Sequence, residues 1–225
     1  MAAEAKAQVE LLDVQSLFSL EGKVVVITGS SRGLGLHAAS AQSGCSKVYI
    51  TSRKVEACQT ACDALNDLPN KRAGARAISV PADSSKVEGV EDLLRQVKET
   101  TDHVDILFAN AGATWGEKFD THPDKAFGKV MDLNVKSVFN TIRLWVISAQ
   151  CGHRCEWLST SPEQGLMDMY GGEEAMAKMN PDQRLGKPED IAGAVIYLSS
   201  RASGHINGAC LTIDGGGRWA KDSKM

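Results

Sequence analysis

The run Thr28-Gly29-Ser30-Ser31-Arg32-Gly33-Leu34-Gly35 is the stretch of this 225-residue chain whose residue types and spacing point most clearly to chemistry. Glycines at 29, 33 and 35 allow a tight turn and let backbone N–H groups approach a bound group closely. A helix opening directly behind such a turn adds unpaired N–H donors and the positive end of its dipole, which together suit a pyrophosphate. The expected ligand is a dinucleotide, held by Gly29, Ser31, Arg32, Gly33, Leu34 and Gly35. A second set of donors stands at Thr51-Ser52-Arg53-Lys54. A site that selects NAD commonly places Asp or Glu there to accept from the ribose 2′-hydroxyl. No carboxylate stands in this run. Ser52 and Arg53, helped by Arg32, would donate charge-assisted bonds to a 2′-phosphate instead. NADP(H) is therefore the expected cofactor, against the alternative that Arg53 and Lys54 are solvated residues at a helix start.

Elements able to position these residues alternate regularly. Apolar runs at 23–29, 47–52, 75–83 and 105–112 read as strands, and a stretch of small residues at 34–42 and amphipathic stretches at 55–68 and 87–100 read as the helices between them. Helices are also expected over 123–146 and over 188–200, where Pro188 and the acids behind it make a good start, and a last strand over 209–216. Continuous apolar character suits strands covered on both faces. The fold class is α/β, a Rossmann-like doubly wound parallel sheet with its ligand site at the carboxyl ends of the strands. Residues 1–20 read as an extension and 21–225 as one domain. The stretch SAQCGHRCEWLSTS (148–161) fits neither helix nor strand, and marks an irregular or deleted region near 148–165.

With these residues in view, the chain resembles the short-chain dehydrogenase/reductase family of the classical type, and within it members like 3-oxoacyl-[acyl-carrier-protein] reductases. The family's T-G-x-x-x-G-x-G pattern is matched at 28–35. Asp83 resembles its adenine-contacting acid, Asn110-Ala111-Gly112 its N-A-G motif, and Asn134 the active-site asparagine that helps order a proton-relay water. RLGKPEDI (184–191) and NGACLTIDGG (207–216) resemble its closing helix and final strand. Taken singly, Asp83 also reads as a helix-cap acid, Asn110 as a turn residue and Asn134 as a helix-surface residue. The resemblance implies an NADP(H)-dependent oxidoreductase acting on a small carbonyl or alcohol substrate.

The departures are equally specific. The resemblance calls for a Tyr acting as acid/base with a Lys four residues on, whose ammonium lowers the Tyr pKa. The three tyrosines, Tyr49, Tyr170 and Tyr197, are followed at that distance by Arg53, Glu174 and Arg201, so no Tyr-x-x-x-Lys exists. The family's catalytic Ser has no counterpart either: Ser148 lies only 14 positions past Asn134, where the resemblance implies that the helix begun by Asn134 should still be running. The Pro-Gly element after the catalytic helix is missing. A βαβ unit takes about 30 residues or more, and the stretch from Ser148 to Gly172 is too short for one, so a fifth strand, catalytic helix and sixth strand are expected to be lost. The first helix is also short. Cys151-x-His153-x-Cys155 lacks the second ligand cluster that a zinc site needs, and no metal is expected. An internal loss, by alternative splicing, deletion or a wrong gene model, accounts for all of this. The apolar fourth strand would then stand at a sheet edge, unless LWVI (144–147) or the final strand moved in beside it, and an exposed apolar edge invites aggregation.

Composition sets the outer limits. Hydrophobic residues make up 43% and charged residues 24%, with a formal net charge of -3, so neither nucleic acid nor a membrane surface is an expected partner. Six scattered cysteines without a secretory leader are expected to be free thiols, and a cytoplasmic location follows. A homo-oligomer is compatible with these readings. Two further functions stand beside the carbonyl reductase: a catalytically inactive nucleotide-binding or interaction protein, and a truncated isoform that does not fold stably.

Overall fold

The computed structural model describes Lys6 and residues 13–42, 44–147, 151–156 and 171–220, with only the backbone at 147, 151–156, 219 and 220. Five strands form one sheet: β1 (Val24–Thr28), β2 (Lys47–Thr51), β3 (Arg76–Ser79), β4 (Val104–Phe108) and β5 (Cys151–Glu156). Every pairing is parallel and the order is β3-β2-β1-β4-β5. After a short α1 (Val14–Leu17), the helices α2 (Gly33–Ala41), α3 (Val55–Asn66) and α4 (Val87–Lys98) connect the first four strands. They are followed by α5 (Asp124–Met131), a π-helical turn (Asp132–Lys136) and α6 (Ser137–Ile147). Beyond β5 come α7 (Glu173–Lys178), α8 (Pro188–Ser199), a 3₁₀ turn (Arg201–Ser203) and α9 (Gly217–Ala220). The α/β, Rossmann-like reading of the sequence holds.

Alternation along the strands sorts side chains into two cores. Val25 and Ile27 of β1, with Val48, Ile50, Ile106 and Phe108, pack against Ala38 and Ala39 of α2, Cys58, Ala61, Cys62 and Leu65 of α3, and Val195 of α8. Val24 and Val26, with Tyr49, Val104 and Leu107, face Leu93 and Val97 of α4 and Trp145 of α6. Each fully buried Val, Ile, Leu or Phe among them contributes about 1.5–3 kcal/mol by leaving water. Burial pushes the Cys45 and Cys62 thiols up to about 12, so at neutral pH both act as packing groups. Cys45, Cys58, Cys62 and Cys210 are free. The nine-residue α2 leaves a cavity of about 20 Å³ beneath its end, beside Gln42, Cys45 and Leu65.

Three expectations are corrected. A fifth strand is present: residues 151–156 pair with β4, Leu107 opposite Cys155 and Phe108 opposite Glu156, with an irregularity between Val104 and Ile106. CGHRCE is poor in β-branched residues, but ladder bonds engage only the backbone, and the free edge of β4 supplies partners whatever the side chains. The edge of β4 is thereby covered, by this segment rather than by residues 144–147, which lie in α6. Second, residues 209–213 form no strand, and Leu211 and Ile213 stand exposed. Among the described residues no strand pairs with this segment, and an apolar run without ladder bonds is not held extended. Third, β4 stops at Phe108, because the Asn110 N–H turns back to the Phe108 carbonyl at 3.0 Å. Among the described residues no helix is long and apolar enough to cross a membrane.

Candidate dinucleotide-binding site

The glycine loop leaves β1 at the centre of the sheet, where the chain order reverses between β1 and β4, the usual place for a ligand crevice in such sheets. Gly29 turns the chain with φ +68°, and a Cβ there would lie 2.8 Å from the Ala111 Cα. At Gly35, one turn into the buried side of α2, a Cβ would lie 2.5 Å from the Asn110 Nδ2 and 2.6 Å from the Gly29 carbonyl oxygen. These two glycines are therefore required by close approach. Gly33 has φ +58° and open space around it. Arg32 precedes the helix in an extended conformation and its side chain caps nothing, which leaves first-turn N–H groups of α2 available to an anion.

The loop is fastened from three sides. The Asn110 amide donates to the carbonyls of Thr28 (2.8 Å) and Gly29 (3.2 Å), and the Ala111 N–H donates to the Thr28 Oγ1 at 2.9 Å. Ser30, buried, donates to the Ile27 carbonyl at 2.6 Å and accepts from the Thr51 N–H at 3.1 Å, while its own N–H donates to the Thr51 carbonyl at 3.0 Å. Thr28 and Ser30 thus tie β1 to β4 and β2, roles that the spacing of the glycines did not assign. Their signal was a small hydroxyl residue on each side of Gly29.

The residues expected to touch the cofactor stand at the carboxyl ends of four adjacent strands. Ser31 and Leu34 are half-buried and Arg32 is exposed behind β1; Ser52 is half-buried and Arg53 exposed behind β2. Among the described residues no carboxylate pairs with Arg32 or Arg53, and the Thr51 Oγ1 is buried without a partner. Asp83 follows β3, where its carboxylate accepts from the N–H (3.2 Å) and hydroxyl (2.7 Å) of Ser85, so part of its capacity is spent on the local turn. Asn110 is buried with its Oδ1 unpartnered, Ala111 is half-buried and Gly112 exposed. An interior amide oxygen, a buried hydroxyl and two guanidinium groups unpaired among the described residues, around a loop with no room for a side chain at Gly29 or Gly35, fit a polar, anionic dinucleotide.

Asn134 falls in the π-helical turn. Its side chain clamps one residue at both ends, accepting from the Ala113 N–H and donating to the Ala113 carbonyl, each at 2.8 Å. The structure therefore brings Asn134 to the N-A-G segment. Neither described tyrosine joins it. Tyr49 is buried in the sheet with its hydroxyl 2.7 Å from the Thr100 Oγ1, before β4 begins, and Tyr197 packs against Phe18. Tyr170 and Ser148 lie outside the described residues, as do the side chains of Cys151, His153 and Cys155.

Residues 23–170 match the family model for short chain dehydrogenases, and residues 154–217 match that for enoyl-(acyl carrier protein) reductases. The rhamnolipid-biosynthesis 3-oxoacyl-[acyl-carrier-protein] reductase of Pseudomonas aeruginosa is 28% identical over 256 residues, covering 88% of this chain and 97% of the relative. The 2-dehydro-3-deoxy-D-gluconate 5-dehydrogenase of Escherichia coli is 30% identical over 256 residues, covering 90% and 98%. Both alignments are longer than the whole 225-residue chain, so the relatives carry tens of residues without a counterpart here. Among solved structures, the Pseudomonas aeruginosa RhlG/NADP active-site complex superposes with TM-score 0.75 at 24% identity over 90% of this chain and 98% of that one. A gluconate 5-dehydrogenase from Burkholderia cenocepacia in complex with NADP and tartrate superposes with TM-score 0.77 at 22% identity, over 91% and 98%.

Proposed function

Because the chain belongs to the short-chain dehydrogenase family, oxidoreductases acting on CH–OH and C=O groups, we propose that it is an NADP(H)-dependent member reducing a ketone or 3-oxoacyl-type carbonyl. The observation that carries the cofactor choice is the end of β2, where the run Thr51-Ser52-Arg53-Lys54 holds no carboxylate and, among the described residues, none pairs with Arg53 or with the exposed Arg32. The loop from Gly29 to Gly35 would hold the pyrophosphate. Asn110, Ala111 and Gly112 would line the next strand end, and Asp83 the adenine side. Bound there, the nicotinamide supplies or takes up a hydride. Asn134 would fix the floor beside it through Ala113. The NADP complexes of two structural neighbours support the reading. A cytoplasmic location and a single domain over residues 21–225 accompany it.

A second reading has a specific observation of its own. The chain contains no Tyr-x-x-x-Lys, and both described tyrosines are engaged elsewhere. A chain without a positioned acid loses about 10²- to 10⁴-fold in rate, which would leave a nucleotide-binding protein with little turnover. Titration of the purified protein with NADPH and NADH, followed by nicotinamide fluorescence and then by NADPH consumption with simple ketones, tests both. Charge-assisted contacts to the 2′-phosphate predict NADPH binding about tenfold or more tighter than NADH. Equal affinities would remove the NADP(H) assignment, and binding without ketone-dependent consumption selects the second reading.

A further inference from the structure

Ser52, at the end of β2, is held in place by a thiol from the following helix. Cys58 lies one turn into α3, fully buried, and its N–H closes the first helical bond to the Lys54 carbonyl at 3.1 Å. That register aims its side chain back at the strand end. The Cys58 Sγ is 3.2 Å from the Ser52 Oγ and 3.6 Å from the Ser52 carbonyl oxygen. The carbonyl already accepts the Ala82 N–H at 3.0 Å, so the hydroxyl is the closer and less committed partner for the thiol.

A hydroxyl and a thiol can each donate or accept. With no anion present, the stronger donor, the hydroxyl, gives its proton to sulfur. A phosphate has only acceptor oxygens at its face, so Ser52 must then donate outward, and its oxygen needs a donor behind it. The Cys58 S–H fills that need at the same distance, and hydrogen bonds in series strengthen one another. An Ala in place of Cys58 leaves the rotamer of Ser52 unfixed and the hydroxyl without that donor. From this geometry we infer that Cys58 is a positioning residue, acting through Ser52, that sets the preference of the β2 end for a 2′-phosphorylated dinucleotide. The inference rests on the cofactor reading above. Around the same strand end, the Thr51 Oγ1 and the Arg32 and Arg53 guanidinium groups have no partner among the described residues and point to the same anionic group.

The test measures dissociation constants of the full chain for NADPH and NADH in the wild type, Ser52→Ala, Cys58→Ala, Cys58→Ser and the double variant Ser52→Ala/Cys58→Ala. Cys58→Ala should weaken NADPH about 3- to 10-fold, a fraction of what a hydrogen bond to a charged group is worth, with NADH changed less than about twofold. Cys58→Ser, which can still donate, should recover most of the loss. The double variant should be no weaker than Ser52→Ala, because the thiol acts only through that hydroxyl. Should Cys58→Ala not fold, Cys58→Val fills the volume without a donor and takes its place. Equal losses for both nucleotides, or additive losses in the double variant, would reduce Cys58 to packing and overturn the inference. A wild type that prefers NADPH with Cys58→Ala unchanged overturns it alone. A wild type that binds neither nucleotide, or both equally, overturns the cofactor reading and this inference together.

Discussion

Residues 23–113 and residues 171–220 come from one chain and solve the same problem to different degrees. In the first region adjacent strand ends are tied together, Asn110 to Thr28 and Gly29, Ser30 to Thr51 and Ala82 to Ser52, and Asn134 from the following π-helical turn clamps Ala113. In the second, α8 packs on α2 through Val195 and Gln42 donates to Ser199 at 2.9 Å, but the chain over residues 204–213 runs exposed. The difference follows from strand supply. A loop at a strand end inherits rigidity from the ladder behind it, and the described ladder stops at β5. The cofactor side of the molecule is thus built, while the side that would shape a substrate pocket is not anchored in the same way.

The comparison can be broken most forcefully at Trp145. This indole of α6 is fully buried against the sheet and joins the core under the first region. Trp145→Ala should cost about 3–5 kcal/mol in urea unfolding; a cost near zero would mean that α6 is not docked and that the ordered region ends before it. Gly35→Ala comes next. Its Cβ would meet the Asn110 Nδ2 and two backbone atoms, so about 1–3 kcal/mol of stability and most nucleotide affinity should be lost. Gly193→Ala, inside α8 with nothing within 4 Å, is the counterpart in the second region and should stabilise by up to about 1 kcal/mol. Opposite signs at two helical glycines would sharpen the contrast, and equal effects would dissolve it.

Smaller effects separate the two asparagines. Asn110→Ala leaves a buried carbonyl at Thr28 and a half-buried one at Gly29 short of a donor and should cost about 1–3 kcal/mol. Asn134→Ala frees the Ala113 backbone, half-buried and nearer to solvent, at about 1 kcal/mol. In a thermal melt the first should shift the midpoint more than the second. By contrast Leu211→Ser and Ile213→Thr, in the exposed tail, should change stability by less than about 0.5 kcal/mol, since neither loses burial. A large cost at either would show that the tail is packed in solution.

What was legible in the sequence divides along the same line. Gly29, Gly35 and Asn110 were readable because each answers a local demand, a turn or a close approach, that few residue types satisfy. Strands β1, β2 and β4 were readable because parallel strands buried on both faces are continuous apolar runs. β5 was not, because CGHRCE carries no such run and its pairing is dictated by a neighbour distant in sequence. The reverse error came from residues 209–216, which suit a strand while, among the described residues, no strand pairs with them. Ser30 and Cys58 escaped notice for another reason: their partners, Thr51 and Ser52, are fixed by the sheet, and pattern alone does not display a register between strands.

The last contrast is electrostatic. The cradle is fastened by neutral groups, the Asn110 amide and the hydroxyls of Thr28 and Ser30, whereas the start of α8 is fastened by charge. Arg184 holds Asp190 with two bonds, at 2.6 and 3.0 Å, and the Lys187 N–H donates to the same carboxylate at 2.7 Å. The Arg184 guanidinium first, then the Lys187 N–H, lower the Asp190 carboxyl to about 2. A carboxylate whose pKa is lower folded than unfolded supports the fold fully above the ordinary value of 3.8, and that support is lost as the pH falls through about 2. A ¹³C titration should therefore find the Asp190 midpoint near 2, and Arg184→Gln should return it towards 3.8. Acidification should release the amides at the start of α8 to hydrogen exchange while those around Gly29 and Gly35 stay protected, because no bond described for that loop changes when carboxylates are protonated. If the loop opened first, the cradle would depend on a charge that its hydrogen bonds do not contain.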